Sequence, residues 1–288
     1  MAPVSHITPG RRPFGAPDGT RFGPVRHVAE TGSTNADLVA GAGAGAAVGS
    51  DGSAGLPSGS VLVADHQTAG RGRLDRRWDA PPATNLLFSV LLRPAWDADR
   101  HPLVTTTLAM AAVEALGTHG VQAAVKWPND VLLVGGTAPG KVAGILAELV
   151  SGRSGGGSGG ESDSESVAIV VGMGVNVGWP AFSDDAPPGA TSLAAAGHAI
   201  DRADLLGSIL ARFDARLTDL EASDGPERVR RAHLECSATV GVEVRVDMPD
   251  GPVTGTAVGL ALDGSLLVDP GDGPVAFRAG DVVHLRPA

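Results

Sequence analysis

Apolar residues fall in short runs separated by polar, glycine-rich or proline-rich stretches, and the period within each run predicts its element. Ser60 to Ala64 (SVLVA) and Asn85 to Leu92 (NLLFSVLL) read as strands flanking a polar, arginine-rich loop, His66 to Thr84. Pro102 to Leu116 has helical spacing, which predicts a helix ending at Gly117. Short strands are predicted at Ala123 to Trp127, Val131 to Val134 and Val142 to Val150, and Val167 to Val177 reads as a central apolar strand. Ser33 or Thr34 can cap a short helix starting near Asn35, and two more helices are predicted over about 200–221 and 227–236. After Cys236 five short β runs (VEVRV, TGTAVGLA, SLLV, VAF, DVVHLR), separated by turns at PDG, LDG and GDG, predict a small barrel. The expected organisation is a flexible arm over 1–24, a larger α/β unit over 25–236 with loops at 41–58 and 151–165, and a β domain over 237–288.

Composition narrows the class. The 288 residues are 43% hydrophobic and 19% charged, enough for a folded domain and a smaller companion. The longest apolar stretch, Val167 to Gly178, is broken by Asn176 and falls short of the roughly 18 residues a membrane span needs. The start lacks an apolar signal region and the single cysteine cannot form an internal disulfide, so a cytoplasmic chain is expected, with no membrane partner. A net charge of -10 argues against binding nucleic acid through its phosphates, and the last 52 residues hold three arginines against seven acids. Only two of the 22 basic residues are lysines, Lys126 and Lys141, which marks both as candidates for sites needing a compact ammonium.

Three clusters carry candidate chemistry. His66 to Trp78 (HQTAGRGRLDRRW) gathers four arginines around Gly70 and Gly72; the glycines let backbone approach a ligand, and the arginines offer bidentate donors to carboxylate or phosphate. A solvated basic loop is the plainer reading. In Lys126-Trp127-Pro128-Asn129-Asp130, proline ends a strand and the next two residues can offer oxygens to magnesium or a nucleotide, or simply make a turn. In Lys141 to Leu146 (KVAGIL), a lysine opens a buried strand and can aim its ammonium into a cleft, or snorkel to solvent. Gly172 to Gly178 (GMGVNVG) has the wrong spacing for a dinucleotide fingerprint and is followed by loop; no P-loop is present, and the histidines and Cys236 show no metal-ligand spacing.

Taken in order, STNADL at Ser33, ADHQTAGRGR ending at Arg73, Trp78, KWPND, KVAGIL and GMGVNV resemble the biotin protein ligases, over about Val25 to the end. The resemblance implies a class II synthetase-like α/β catalytic domain with a mixed sheet and flanking helices, and an SH3-like C-terminal barrel. It implies biotin contacts from Ser33, Thr34, Asn35, Gln67, Gly70, Arg71, Gly72, Arg73 and Lys141, with Ser33, Thr34 and Gln67 at the ureido ring. It implies ATP contacts from Arg73, Trp78, Lys126, Asn129, Asp130, Lys141 and Asn176, magnesium at Asp130, and Lys141 and Arg73 as catalytic residues. One departure is Leu74-Asp75-Arg76, where Asp75 stands in place of the family's second glycine.

The implied reaction joins biotin to ATP, giving biotinyl-AMP and pyrophosphate, and then passes biotin to a lysine of a biotin carboxyl carrier protein. This needs cations at the reacting phosphorus and a closed, dry site. No base for the acceptor lysine stands out. The rivals are a lipoate or octanoate ligase or transferase of the same fold, and a biotin-responsive repressor, for which the two dozen residues before the pattern are too few to form a helix-turn-helix.

Overall fold

The computed structural model of the chain describes residues 12–43, 55–74, 76–152, 166–180, 187–248, 251–278 and 280–285. Most of the two expected loops and Asp75 therefore lie outside the described residues.

Seven strands, β1 (Val25–Thr31), β2 (Val61–Gln67), β3 (Leu86–Leu92), β4 (Ala123–Lys126), β5 (Asp130–Leu133), β6 (Gly140–Gly152) and β7 (Ser166–Val175), form one sheet in the order β1-β2-β3-β7-β6-β5-β4. Only β1 and β2 run parallel, so the sheet is mixed. Helices α2 (Leu103–Thr118), α3 (Arg202–Glu221) and α4 (Gly225–Cys236) cover one face, where Leu108, Leu206 and Phe213 pack on Phe88, Val90 and Val171. Helix α1 (Thr34–Gly43) covers part of the other face, with Leu38 and Ala42 against Leu62, Leu91 and Val170. β3 is buried at every position because both faces are covered, which is why its sequence reads as an unbroken apolar run.

Three expectations change. β1 was not expected as a strand: at the sheet edge none of its residues is fully buried, so it carries little apolar signal. α2 ends at Thr118 rather than Gly117, because the left-handed residue that closes it is Gly120 (φ 74°), with Val121 N–H donating to Leu116 O at 3.0 Å. The described part of the arm, from Arg12 onward, is packed on α3: Phe22 is buried and stacks on Phe213 at 5.6 Å, and Arg21 pairs with Asp214 and Glu221. An aromatic anchor and a paired arginine outweigh the local richness in proline and glycine.

The chain ends in a five-stranded antiparallel sheet, β8 (Glu243–Asp247), β9 (Val253–Leu260), β10 (Leu266–Asp269), β11 (Val275–Phe277) and β12 (Asp281–His284), in the order β11-β10-β9-β8-β12. All five expected runs are strands; no pairing of β11 with β12 closes them among the described residues. The core of this sheet includes Trp127 of the KWPND stretch, 3% exposed among Val244, Val246 and Leu266. Its indole N–H donates to Gly264 O at 3.0 Å. No helix among the described residues is long and apolar enough to cross a membrane.

Candidate active site

The uncovered half of the α1 face has a floor made of glycine. Gly144 of β6 and Gly174 of β7 are register partners, and the Trp78 indole lies across both. A Cβ on Gly144 would come within 2.8 Å of Trp78 Cζ3, and one on Gly174 within 2.5 Å of Trp78 Nε1. Gly172, two residues earlier on the same face, leaves room in the same way for the Asn35 amide. The GMG run thus exists to let two polar-edged side chains rest on the sheet, with no bearing on dinucleotides.

At the α1 end of this floor a buried hydrogen-bond network is assembled. Gln67 Oε1 accepts from Thr34 N at 2.8 Å and lies 3.0 Å from the Thr34 hydroxyl, which is 2.7 Å from the Ser89 hydroxyl. Ser89 donates to Asn35 Oδ1 at 2.6 Å, and Asn35 Nδ2 donates to Leu146 O and to Glu148 at 2.8 Å. Glu148 in turn accepts from Arg71 at 3.0 Å. Asn35 therefore has both ends of its amide engaged by the framework, whereas Thr34 and Gln67 keep polar atoms at the cavity. Ser33 sits at the start of α1, where its carbonyl accepts from Asp37 N at 3.0 Å.

At the opposite end Lys141 Nζ sits 2.6 Å from Asp130 Oδ1 and 5.6 Å from the centre of the Trp78 ring. Its backbone is clamped by Gly189 O at 2.8 Å and Thr191 N at 2.9 Å. Asn129 reaches across to β6, donating to Ile145 O at 2.8 Å, and its Oδ1 accepts from Arg73 at 3.3 Å. Arg73 is half-buried and makes no ion pair within 4 Å among the described residues; burial pulls its pKa below the ordinary value, and Asp281 and Asp130 oppose that pull. A desolvated guanidinium with no carboxylate in contact is suited to an incoming anion.

The basic loop folds back on itself. Trp78 N–H donates to Gly70 O at 3.0 Å and Gly72 N–H to Arg76 O at 2.6 Å. The Gly72 amide, expected to face an anion, is therefore engaged inside the loop, and Arg71 is held by Glu148. Arg76 pairs with Asp281 of β12, tying the loop to the C-terminal sheet. Asn176 receives Asn85 Nδ2 at 3.1 Å and donates to Thr191 O at 3.0 Å, so it braces the loop beside Lys141. Lys126 lines the cavity and makes no ion pair among the described residues.

Ser33, Thr34, Gln67, Arg73, Trp78, Lys126, Asn129 and Lys141 line a cavity of about 860 Å³, large enough for a drug-sized ligand or more. Ser89, Glu148, Asp281 and His284 were missed in the sequence; the first two could have been found as the polar residue inside NLLFSVLL and the charge inside GILAELV. No group of three His, Cys, Asp or Glu among the described residues is placed to hold a metal, and Asp130, the expected ligand, is engaged by Lys141.

Residues 45–159 match the family model described as Biotin/lipoate A/B protein ligase family, and residues 239–285 match the Biotin protein ligase C terminal domain. The two together define the class as ligases of the biotin/lipoate type with an appended C-terminal β sheet. A biotin–[acetyl-CoA-carboxylase] ligase of Mycobacterium tuberculosis is 34% identical over 271 residues, 90% of this chain and 88% of its own. One from Paracoccus denitrificans is 33% identical over 238 residues, 79% of this chain and 91% of its own. Among solved structures, the biotin protein ligase from Aquifex aeolicus in complex with biotin and ATP superposes with a TM-score of 0.71 at 26% identity, covering 92% of this chain and 100% of that one. The chain belongs to the biotin protein ligases.

Proposed function

We propose that this chain activates biotin with ATP and transfers it to a lysine of a biotin carboxyl carrier protein or domain. The observation that carries this reading is the polarity of the cavity: an uncharged hydrogen-bonding end at Thr34 and Gln67, backed by the buried Ser89 and suited to a ureido ring, faces a cationic end at Lys141 and Arg73, suited to a carboxylate and a phosphate. In the first step a biotin carboxylate oxygen attacks the α-phosphorus and its bond to the pyrophosphate oxygen breaks. Negative charge grows on the phosphoryl oxygens, and Lys141, held by Asp130 and the Trp78 face, and Arg73, held by Asn129, are fixed before it appears. In the second step the acceptor amine forms its bond to the biotinyl carbonyl carbon and AMP leaves with the anhydride oxygen.

Gly70 and Gly72 shape the loop over the adenylate, and Arg71 acts through Glu148 and Asn35, as a brace for the ureido end. Ser33 supports Thr34. Trp78, Lys126, Asn129 and Asn176 form the nucleotide side, Asn129 and Asn176 mainly by positioning. Magnesium is treated as the counter-ion that ATP brings, part of the substrate. We read the C-terminal sheet as an SH3-like domain over 237–288 beside a catalytic domain over 25–236, and the chain as a cytoplasmic enzyme that needs no nucleic acid. ATP–pyrophosphate exchange run with biotin and with lipoate tests the reading: exchange with biotin alone is expected, and exchange with lipoate alone would overturn it.

A further inference from the structure

Asn85, the residue before β3, is 1% exposed and is not among the residues lining the cavity. Its side chain nevertheless makes three hydrogen bonds beside it. Oδ1 accepts from Val177 N at 3.0 Å and from Trp179 N at 3.1 Å, and Nδ2 donates to Asn176 Oδ1 at 3.1 Å. Asn176 Nδ2 in turn donates to Thr191 O at 3.0 Å. Backbone groups fix the direction of this relay at both ends: the two N–H groups can only donate and the Thr191 carbonyl can only accept. Neither amide can be turned over without setting oxygen against oxygen. Asn85 is itself anchored from α3, where Arg202, buried and paired with Asp65 at 2.6 Å, donates to Asn85 O at 3.0 Å. Next to it, Gly178 N donates to Thr84 O at 2.8 Å.

The relay ends on the main chain of Lys141. Thr191 N donates to Lys141 O at 2.9 Å and Lys141 N donates to Gly189 O at 2.8 Å. Leu193 N to Asn176 O at 3.0 Å and Ala194 N to Val177 O at 2.9 Å lay the same segment along the exit of β7. A lysine side chain is long and flexible, so where its ammonium can rest depends on where its main chain starts it. Asp130 and the Trp78 face hold only the far end of Lys141. A buried polar network with every member satisfied is rigid, and this one runs unbroken from α3 to that main chain. We propose that Asn85 is a positioning residue for adenylation, acting through Asn176 and Thr191 to set the main chain from which Lys141 reaches the reacting phosphate. The inference rests on the ligase reading and deepens it, by extending the machinery of the first step to a buried residue outside the cavity. Aspartate has the shape of asparagine without its donor, so Asn85→Asp is the change that breaks the relay while leaving the acceptor for Val177 N and Trp179 N.

The test is a double-mutant cycle on the full chain, read as biotin-dependent pyrophosphate exchange at saturating biotin and ATP. Asn85→Asp is expected to lose about tenfold when Lys141 is present, with KM for biotin within about twofold because the Thr34 and Gln67 end is untouched. When Lys141 is already replaced, in Lys141→Gln, the same change is expected to cost less than about twofold more, since a residue that acts through another adds nothing once that one is gone. Thr191→Val removes the hydroxyl bond to Ala138 O at 2.9 Å on the other side of the same segment. It is expected to follow the same pattern with a loss of about threefold, and it keeps the inference testable if Asn85→Asp does not fold. Wild-type exchange by Asn85→Asp, or by Thr191→Val where Asn85→Asp does not fold, would overturn the inference. So would an equal loss with and without Lys141, the mark of a residue that supports the fold without acting through the lysine. The ligase reading fails separately, by absence of biotin-dependent exchange in the wild type.

Discussion

Replacing Gly174 by alanine places a methyl group under the indole that carries the Lys141 ammonium. The added Cβ would lie 2.5 Å from Trp78 Nε1 and 2.8 Å from Cζ2, against an ordinary carbon contact of about 3.5 to 4.0 Å. The ring must therefore rise by about 1 Å. Overpacking of this kind destabilises by about 1 to 3 kcal/mol. Displacement of a positioning group by about 1 Å can cost about 10²-fold in rate. Gly174→Ala is expected to lose about 10²-fold in biotin-dependent pyrophosphate exchange and to shift the Trp78 fluorescence, while Gly259→Ala, on an open strand position with nothing within 4 Å of the added Cβ, leaves both unchanged. Gly144→Ala should behave like Gly174→Ala, since its Cβ meets the far edge of the same ring at 2.8 Å and Lys141 Nζ at 3.3 Å. Wild-type exchange by both floor variants would refute the role of the glycine floor.

Ser89→Ala removes the link between Thr34 and Asn35, worth about 1 kcal/mol; KM for biotin is expected to rise roughly fivefold with kcat little changed, and an unchanged KM would show that the network does not orient the ureido end. Arg73→Gly is expected to form biotinyl-AMP and release it, labelling lysines of an unrelated protein without docking; adenylation without stray labelling would count against retention by Arg73. His233 is fully buried in α4 with neither ring nitrogen hydrogen-bonded among the described residues, and burial lowers its pKa to about 4 from 6.5. The unfolded chain therefore takes up the proton first as pH falls, and stability present above pH 6.5 is lost toward pH 4, by about 2 kcal/mol between pH 7.5 and 5. Urea unfolding of His233→Met should lack that part of the pH dependence; an identical slope in both proteins would contradict it.

What the sequence disclosed and what it hid have the same physical origin. β3 was legible because burial on both faces writes a continuous apolar run, and the five C-terminal strands because PDG, LDG and GDG mark the turns between them by backbone chemistry alone. β1 was hidden because an edge strand needs few apolar residues, and the packing of the described part of the arm because Phe22 and Arg21 find their partners nearly two hundred residues away. The motif residues were legible as a set, but their division of labour was not. Trp127 looked like part of a nucleotide motif and is a core residue of the second sheet; Arg71, a biotin contact by resemblance, is held by Glu148; Gly172 and Gly174, whose spacing already spoke against a dinucleotide fingerprint, are a floor for side chains. Each of these depends on a contact between distant strands that no local pattern records.

The most direct measurement is ATP–pyrophosphate exchange, with biotin, by Lys141→Arg beside the wild type. Arginine keeps the charge but spreads it over a plane too broad for the space between Asp130 and the Trp78 face, so the ammonium's placement is lost while the polar end of the cavity is untouched. Biotin-dependent exchange in the wild type, reduced about 10²-fold or more in Lys141→Arg with biotin binding retained, is the predicted result. Full exchange activity in Lys141→Arg would contradict the assignment of this cavity as the site of biotin activation.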